Sequence, residues 1–480
     1  MEETRTKIVC TIGPASREED PLRALIRAGM DVARINFSHG TLEEHAQEIA
    51  TIRRLAGEEK AAVAVMADLQ GPKLRIGVIE NEPLVLRQGD RITLTTKEAT
   101  GAGNIVNLPH PELIHDVSSG DQILLDDGAL EFKVEEKRVD ELVCRVVVGG
   151  ELRSHKGVAA PHSALSKDPQ LKALTAKDRN DARFALKQGV DFVALSFVRG
   201  AADIEALRSL VREEGVSEET VGIVAKIEKR EALEEFDQIL DTVDGVMVAR
   251  GDLGVEVSVE EVPLYQKEII RKCNLVGKPV ITATQMLQSM IANPLPTRAE
   301  ASDVANAILD GTDAVMLSAE TATGHYPVRA VEMMARIAAT VEEKLLHWVD
   351  AGTFTTMKHV QPITDAISDS AARIAGELGA RLIATSTWTG YTARQIARER
   401  PREPIFALTP NEATYRRLAL TWGVTPLLVR QVEGIDDLLD AVCETLTDRE
   451  LAAPGDLIVI TAGVPLSGGG RTNLLKVHRV

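Results

Sequence analysis

Val221-Gly222-Ile223-Val224-Ala225-Lys226-Ile227-Glu228 is an apolar, largely β-branched run that closes on a lysine and a glutamate two residues apart. A β-strand turns successive side chains to opposite faces, so Lys226 and Glu228 would leave its C-terminal end together. Two readings of that pair stand at this point: an ion pair that closes a strand, or a cation and an anion held for work on a ligand. Runs of the same kind, apolar and ending in a polar residue, recur at Thr6–Ile12, Met30–Ile35, Ala62–Ala67, Asp191–Leu195, Asp244–Val248, Pro279–Ala283 and Asp313–Leu317. Most are followed by helical periodicity.

Continuous apolar strands alternating with helices indicate a parallel sheet covered on both faces. Eight of them predict an α/β chain built on a (β/α)8 TIM barrel, with the active site at the C-terminal ends of the strands. Just past those ends the chain carries Arg34, Asn36 and Ser38, then Asp68, Ser196, Lys226 and Glu228, Arg250 and Asp252, Thr284, Ser318 and Glu320. Nearly every strand mouth is polar. No internal repeat beyond the βα rhythm is legible.

The third and fourth of these strands are more than a hundred residues apart, far beyond a normal crossover. In that gap Arg91–Thr96, Gln122–Gly128, Leu130–Val134 and Leu142–Val148 read as strands punctuated by Gly, Asp and Pro. The expectation is an inserted small β-barrel lid domain over residues 70–172, within a barrel of residues 1–69 and 173–344. Rooted beside a barrel mouth, it is placed to close over a substrate. After Lys344 a new alternation begins: a helix at Ile363–Leu378, a strand at Arg381–Thr385, then helices and strands to Leu457–Thr461. It predicts an open α/β domain over residues 345–480. Its first strand runs into Thr385-Ser386-Thr387-Trp388-Thr389-Gly390-Tyr391-Thr392. Thr385, Thr387, Thr389, Gly390 and Thr392 form either a phosphate cradle at a helix N-terminus or a set of ordinary helix caps.

Composition narrows the function classes. The 480 residues are 44% hydrophobic and 26% charged, without an apolar run long enough to span a bilayer. The start, Met-Glu-Glu-Thr-Arg-Thr-Lys, lacks a signal peptide's basic and apolar regions, so a cytoplasmic location is expected. Cys10, Cys144, Cys273 and Cys443 have no metal-ligand spacing and read as thiols. A net charge of −17, from 55 basic and 72 acidic residues, argues against general nucleic-acid binding. Anionic substrates stay open, because a few cations in one cleft outweigh distant charge.

At the barrel mouth, Glu228 and Asp252 follow neighbouring strands and suit a hard divalent cation such as magnesium, which is held by one or two carboxylates plus substrate oxygens. Gly251 permits close backbone approach, and an N–H there could meet a substrate carboxylate. Arg34 and Arg75 offer planar, permanent charge to phosphate oxygens. Lys226 offers compact positive charge to a group passing through an anionic transition state.

Six segments carry a family resemblance: Ala33-Arg34-Ile35-Asn36-Phe37-Ser38-His39-Gly40, Asp68-Leu69-Gln70-Gly71-Pro72-Lys73-Leu74-Arg75, Ile223-Val224-Ala225-Lys226-Ile227-Glu228, Val248-Ala249-Arg250-Gly251-Asp252-Leu253-Gly254-Val255-Glu256, Thr282-Ala283-Thr284-Gln285-Met286-Leu287 and Asp313-Ala314-Val315-Met316-Leu317-Ser318-Ala319-Glu320-Thr321. In order and spacing they resemble a pyruvate kinase from Lys7 to the C-terminus. The resemblance implies phosphoryl transfer from phosphoenolpyruvate to ADP, giving pyruvate and ATP, by a homotetramer with a C-terminal regulatory domain. It makes Glu228 and Asp252 the ligands of Mg2+ or Mn2+, and Lys226 the residue that stabilises the phosphoryl group in flight. Arg34, Gly251, Asp252 and Thr284 fall to phosphoenolpyruvate; Asn36, Ser38, His39, Arg75 and Lys156 fall to the nucleotide.

Departures from the family pattern carry expectations of their own. Asn36, Ser38 and Asp68 resemble a monovalent-cation site, yet Lys73 stands where many members have glutamate. Lys73 either replaces K+ electrostatically or pairs with a surface carboxylate. Trp388 stands where members responding to fructose 1,6-bisphosphate often have lysine, which points to a monophosphorylated effector. Val158-Ala159-Ala160-Pro161-His162 replaces the common Asn-Leu-Pro-Gly at the lid's hinge. Two other classes share features of the chain: a lyase or aldolase with Lys226 as a Schiff base, and a non-catalytic sensor keeping the phosphate loop. Intact Lys226, Glu228 and Asp252 argue against the sensor.

Overall fold

The computed structural model describes residues 4–72, 74–126, 128–161, 173–349, 363–432, 434–464 and 472–480. Lys73 and His162 lie outside them.

Eight parallel strands close into a barrel in sequence order: Lys7–Thr11, Val32–Asn36, Ala64–Asp68, Phe192–Leu195, Gly222–Ile227, Gly245–Ala249, Val280–Ala283 and Ala314–Leu317. Each lies within a residue or two of the run that predicts it. Alternation along the strands divides the core in two. Val9, Val32, Ala64, Met66, Phe192, Ala194, Val224, Met247, Ile281, Ala314 and Met316 fill the barrel's interior, while their neighbours, such as Val65, Val193, Ile223 and Ala225, join the shell packed under the helices. This phase fixes the mouth: Thr11, Arg34, Asp68, Ser196 and Lys226 each follow an interior residue by two positions, so the pleat turns them inward.

The opposite end carries a fourfold recurrence that the sequence reading missed. Asp31, Asp191, Asp244 and Asp313 precede the four even-numbered strands. Their carboxylates accept backbone N–H bonds from Ile8, Val65, Ile223 and Val280 near the starts of the odd-numbered strands, at 2.7 to 2.9 Å. Arginines of the C-terminal segment meet three of them: Arg416 with Asp191 at 2.8 Å, Arg417 with Asp244 at 3.9 Å and Arg400 with Asp313 at 3.0 Å. Ala419 and Leu420 from the same segment plug the interior from that end.

Between the third and fourth barrel strands lies the inserted β unit, whose expected strands occur at Arg91–Thr95, Gln122–Leu125, Leu130–Lys137 and Glu141–Val148. Short strands at Leu84–Leu86, Ile105–Asn107, Gly150–Leu152 and Val158–Ala159 complete one six-stranded and one two-stranded sheet, where a small barrel was expected; within the described residues the six-stranded sheet keeps two open edges. The C-terminal segment forms a five-stranded sheet. Four strands, Leu382–Ser386, Ile405–Thr409, Val424–Leu428 and Leu457–Gly463, are parallel, and Thr472–Arg479 adds antiparallel to the last of them. That final strand was not expected from the sequence.

Candidate active site

Lys226 is the hub of the mouth. Its ammonium lies 2.9 Å from Glu228 Oε1 and 3.2 Å from Asp68 Oδ1, and it donates to the Ser196 hydroxyl at 2.8 Å. Burial alone would lower the Lys226 pKa; the charges of Asp68 and Glu228 outweigh it and hold the group above the ordinary lysine value. The amine is thus kept as a cation.

Asp68 is shared between two cations. Arg34 donates Nε–H to its Oδ2 at 2.6 Å, and Arg34 Nη1 donates to the Thr11 hydroxyl at 2.8 Å. Burial would raise the Asp68 carboxyl, but the charges of Arg34 and Lys226 hold it below its usual value. Both oxygens are engaged, which leaves Asp68 little capacity for a further cation. Asn36 Oδ1 accepts the Ser38 N–H at 3.1 Å, closing a tight turn at the same mouth, and the His39 carbonyl lies 2.9 Å from His45 Nε2.

Glu228 is buried and only partly satisfied. Oε2 accepts the Phe197 N–H at 2.6 Å, whereas Oε1 meets only the Lys226 ammonium, at 2.9 Å. Burial pushes the carboxyl above its ordinary value; Lys226 opposes this and the charge of Asp252 adds to it. A buried carboxylate oxygen met only by an ammonium, beside a second carboxylate, keeps lone pairs suited to a hard cation. Among the described residues no cluster of three or more His, Cys, Asp or Glu side chains could hold a metal on its own. A cation here would therefore draw other ligands from substrate or water.

Thr284 follows the seventh strand with φ +71°, and Gln285 follows at φ +56°. The Thr284 hydroxyl accepts the Gly251 N–H at 2.9 Å, so the N–H expected to meet a substrate carboxylate is here occupied within the chain. Arg250 was seen at the mouth from sequence but given no task. It donates to the Thr284 carbonyl at 2.7 Å and pairs with Asp303 at 2.7 Å.

Two nucleotide-side candidates meet at the foot of the inserted unit. Arg75 bridges to Gly157 and donates to the His155 carbonyl at 2.8 Å, and the Lys156 carbonyl accepts the Ile76 N–H at 3.1 Å. The Lys156 ammonium pairs with Asp126 at 2.8 Å. Neither has a hydrogen bond or ion pair with Asn36, Ser38 or His39 among the described residues.

In the C-terminal loop the hydroxyls are engaged locally, but none caps the helix at Tyr391–Arg398, whose N-cap is Gly390. The Thr387 hydroxyl accepts the Gly390 N–H at 3.0 Å, Thr389 accepts that of Tyr391 at 3.4 Å, and the Thr392 hydroxyl shares a 2.8 Å bond with Thr472. Thr385 is the exception, with a buried hydroxyl lacking a partner.

Comparison with known proteins gives a consistent result along the whole chain. Residues 3–331 match the family model described as pyruvate kinase, barrel domain, and residues 365–478 match that of the pyruvate kinase alpha/beta domain. The pyruvate kinase of Geobacillus stearothermophilus is 48% identical over 476 residues, covering 99% of this chain and 80% of the relative. That of Agrobacterium vitis is 47% identical over 477 residues, covering 99% and 97%. The crystal structure of a pyruvate kinase from Cryptosporidium parvum superposes with a TM-score of 0.90 at 36% identity, covering 99% of this chain and 96% of that one.

Proposed function

The chain belongs to the pyruvate kinase family and is a phosphotransferase; from that premise we propose how its own residues transfer the phosphoryl group of phosphoenolpyruvate to ADP. The carrying observation is the Lys226 ammonium held beside Asp68, Glu228 and Ser196. When the phosphoryl group leaves, negative charge grows on the enolate oxygen of the nascent pyruvate. A cation fixed in a low-dielectric pocket stabilises that charge without reorganising. Arg34, aimed by Asp68 and Thr11, binds the phosphate, while Thr284 with Gly251 and Asp252 receives the substrate's carboxylate side. Ketonisation of the enolate then draws the reaction towards ATP.

Glu228 and Asp252 would hold Mg2+ or Mn2+, which supplies concentrated positive charge to the oxygens of both substrates. Glu228 Oε1, which meets the Lys226 ammonium and has no other hydrogen bond, supports that assignment. Asn36, Ser38 and His39 at the mouth, with Arg75 and Lys156 on the inserted unit, are assigned to ADP; swinging of that unit would bring the two groups together. We assign residues 1–69 and 173–344 to the catalytic barrel, 70–172 to its lid and 345–480 to a regulatory domain. Asn36, Ser38 and Asp68 are assigned to the monovalent-cation site, with Lys73, from its place in the sequence, as the candidate lysine surrogate. Thr385, Thr387, Thr389, Gly390 and Thr392 are assigned to a phosphorylated effector. The four thiols, all free, suit the reducing cytoplasm, and family membership supports a homotetramer.

The Schiff-base alternative is disfavoured by the same geometry, because a lysine nucleophile must lose its proton and Lys226 is held as a cation. The decisive test is a coupled assay of pyruvate formation with ADP, phosphoenolpyruvate and Mg2+, repeated with Lys226→Met. A loss of about a thousandfold in kcat is expected. Unchanged turnover would overturn the assignment.

A further inference from the structure

We infer that Asp178 is a positioning residue that ties the root of the inserted β unit to Lys226 and Glu228. The inference rests on the assignment of Glu228 to the divalent cation.

The chain returns to the barrel through Thr175 and enters a helix at Ala176–Lys187. Asp178, fully buried, closes a capping box: Oδ2 accepts the Thr175 N–H at 3.0 Å and the Thr175 hydroxyl at 2.5 Å. Capping occupies one carboxylate oxygen. The other, Oδ1, accepts the Gly71 N–H at 3.1 Å, from the loop by which the chain leaves the barrel after Asp68. One carboxylate thus joins the exit and the return of the whole inserted unit.

Gly71 passes the constraint inward. It holds φ +69°, and a Cβ there would stand 2.7 Å from Phe197 Cδ2 and 3.0 Å from Ser196 Cβ, so only a glycine backbone seats this closely. Ser196 and Phe197 in turn contact Lys226 and Glu228. The Phe197 N–H binds Glu228 Oε2, and the Ser196 hydroxyl accepts from Lys226 while donating to the Leu69 carbonyl at 2.7 Å. Phe197 itself stands at φ +55°, a conformation kept only where surroundings over-determine it. Lys177, one residue before Asp178, donates to the Phe37 carbonyl at 2.7 Å, fastening the same helical turn to the loop that carries Asn36 and Ser38. A shift of the unit's root therefore moves Gly71 against Ser196 and Phe197, and through them Lys226 and Glu228.

The test uses the full chain and measures Mn2+ affinity by electron paramagnetic resonance without substrates, alongside kcat and KM. Asp178→Ala should weaken Mn2+ binding about tenfold and lower kcat by a similar factor, as losses of outer partners do. KM for phosphoenolpyruvate should change less than about threefold, since the loss falls on the transition state. Asp178→Asn keeps a carbonyl oxygen for Gly71 and should recover most of both. Thr175→Ala removes the capping box without touching Gly71 and should leave both within about twofold. Gly71→Ala leaves the box intact, displaces Phe197 and should reproduce the Asp178→Ala losses if that variant fails to fold. Equal effects of Thr175→Ala and Asp178→Ala, or unchanged Mn2+ affinity in both Asp178→Ala and Gly71→Ala, would overturn the inference. Glu228→Gln separates the two levels. If it weakens Mn2+ and Asp178→Ala does not, only the positioning role falls; if it does not, the cation assignment falls and the inference with it.

Discussion

Gly251 donates its backbone N–H to the Thr284 hydroxyl at 2.9 Å, linking the mouths of the sixth and seventh barrel strands. Thr284 holds a positive φ that a β-branched residue rarely adopts, and Arg250 braces that turn by binding its carbonyl and pairing with Asp303. The hydroxyl is thus aimed by backbone as well as by side chain.

Thr284→Val keeps the shape of the side chain but removes the acceptor for Gly251 and any donor for substrate. It should lower kcat/KM for phosphoenolpyruvate about a hundredfold, whereas Thr284→Ser should stay within about fivefold of the parent. Steady-state kinetics check this; a fully active Thr284→Val would remove the hydroxyl from the mechanism.

Glu228 costs the fold stability. Its folded pKa is raised by burial, so the folded chain holds the proton more tightly than the unfolded chain does. The ionised carboxylate therefore destabilises the fold at neutral pH. That penalty is relieved as pH falls through the raised value to the ordinary carboxylate range. Glu228→Gln should unfold about 1–3 °C above the parent at neutral pH without divalent cation, the gap closing in acid. Adding Mn2+ should raise the parent's midpoint and not the variant's. A midpoint several degrees below the parent's would contradict this.

Potassium should matter little. Asp68, a member of the proposed monovalent-cation site, has one oxygen on Arg34 and the other beside Lys226, and Lys73 supplies a charge nearby in sequence. Turnover in alkali-free buffer should reach at least about half that with K+. A rise of about tenfold or more on adding K+ would sink the lysine surrogate.

A sugar monophosphate or a nucleotide monophosphate should lower the half-saturating phosphoenolpyruvate concentration more than fructose 1,6-bisphosphate does. The reason is charge: Trp388 contributes no cation to a second phosphate, and its carbonyl is engaged by the Thr414 hydroxyl at 2.7 Å. Titration of each compound at fixed ADP checks this, and stronger activation by the bisphosphate would refute it.

Sequence made the barrel legible because each strand is a short apolar run with a polar end, and counting in twos from Lys226 to Glu228 put those two side chains on one face. The strand Thr472–Arg479 stayed hidden because Asn473, Lys476, His478 and Arg479 break its apolar content, and it pairs at a sheet edge along one side only. Tasks that depend on distant approach were equally hidden. Gly71 and Asp178 are 107 residues apart, and no local pattern announces their contact. Arg250 was visible at the mouth, but its grip on Thr284 exists only once the sixth and seventh strands lie side by side.

The aspartates at the far end of the barrel have a consequence for evolution. Asp191, Asp244 and Asp313 bind the C-terminal segment's arginines with the same carboxylates that finish the strand ladders. Attachment of that segment is therefore written into the scaffold and kept a full strand length from the chemistry. The loop proposed for an effector can drift in sequence without rewriting a single residue of the mouth.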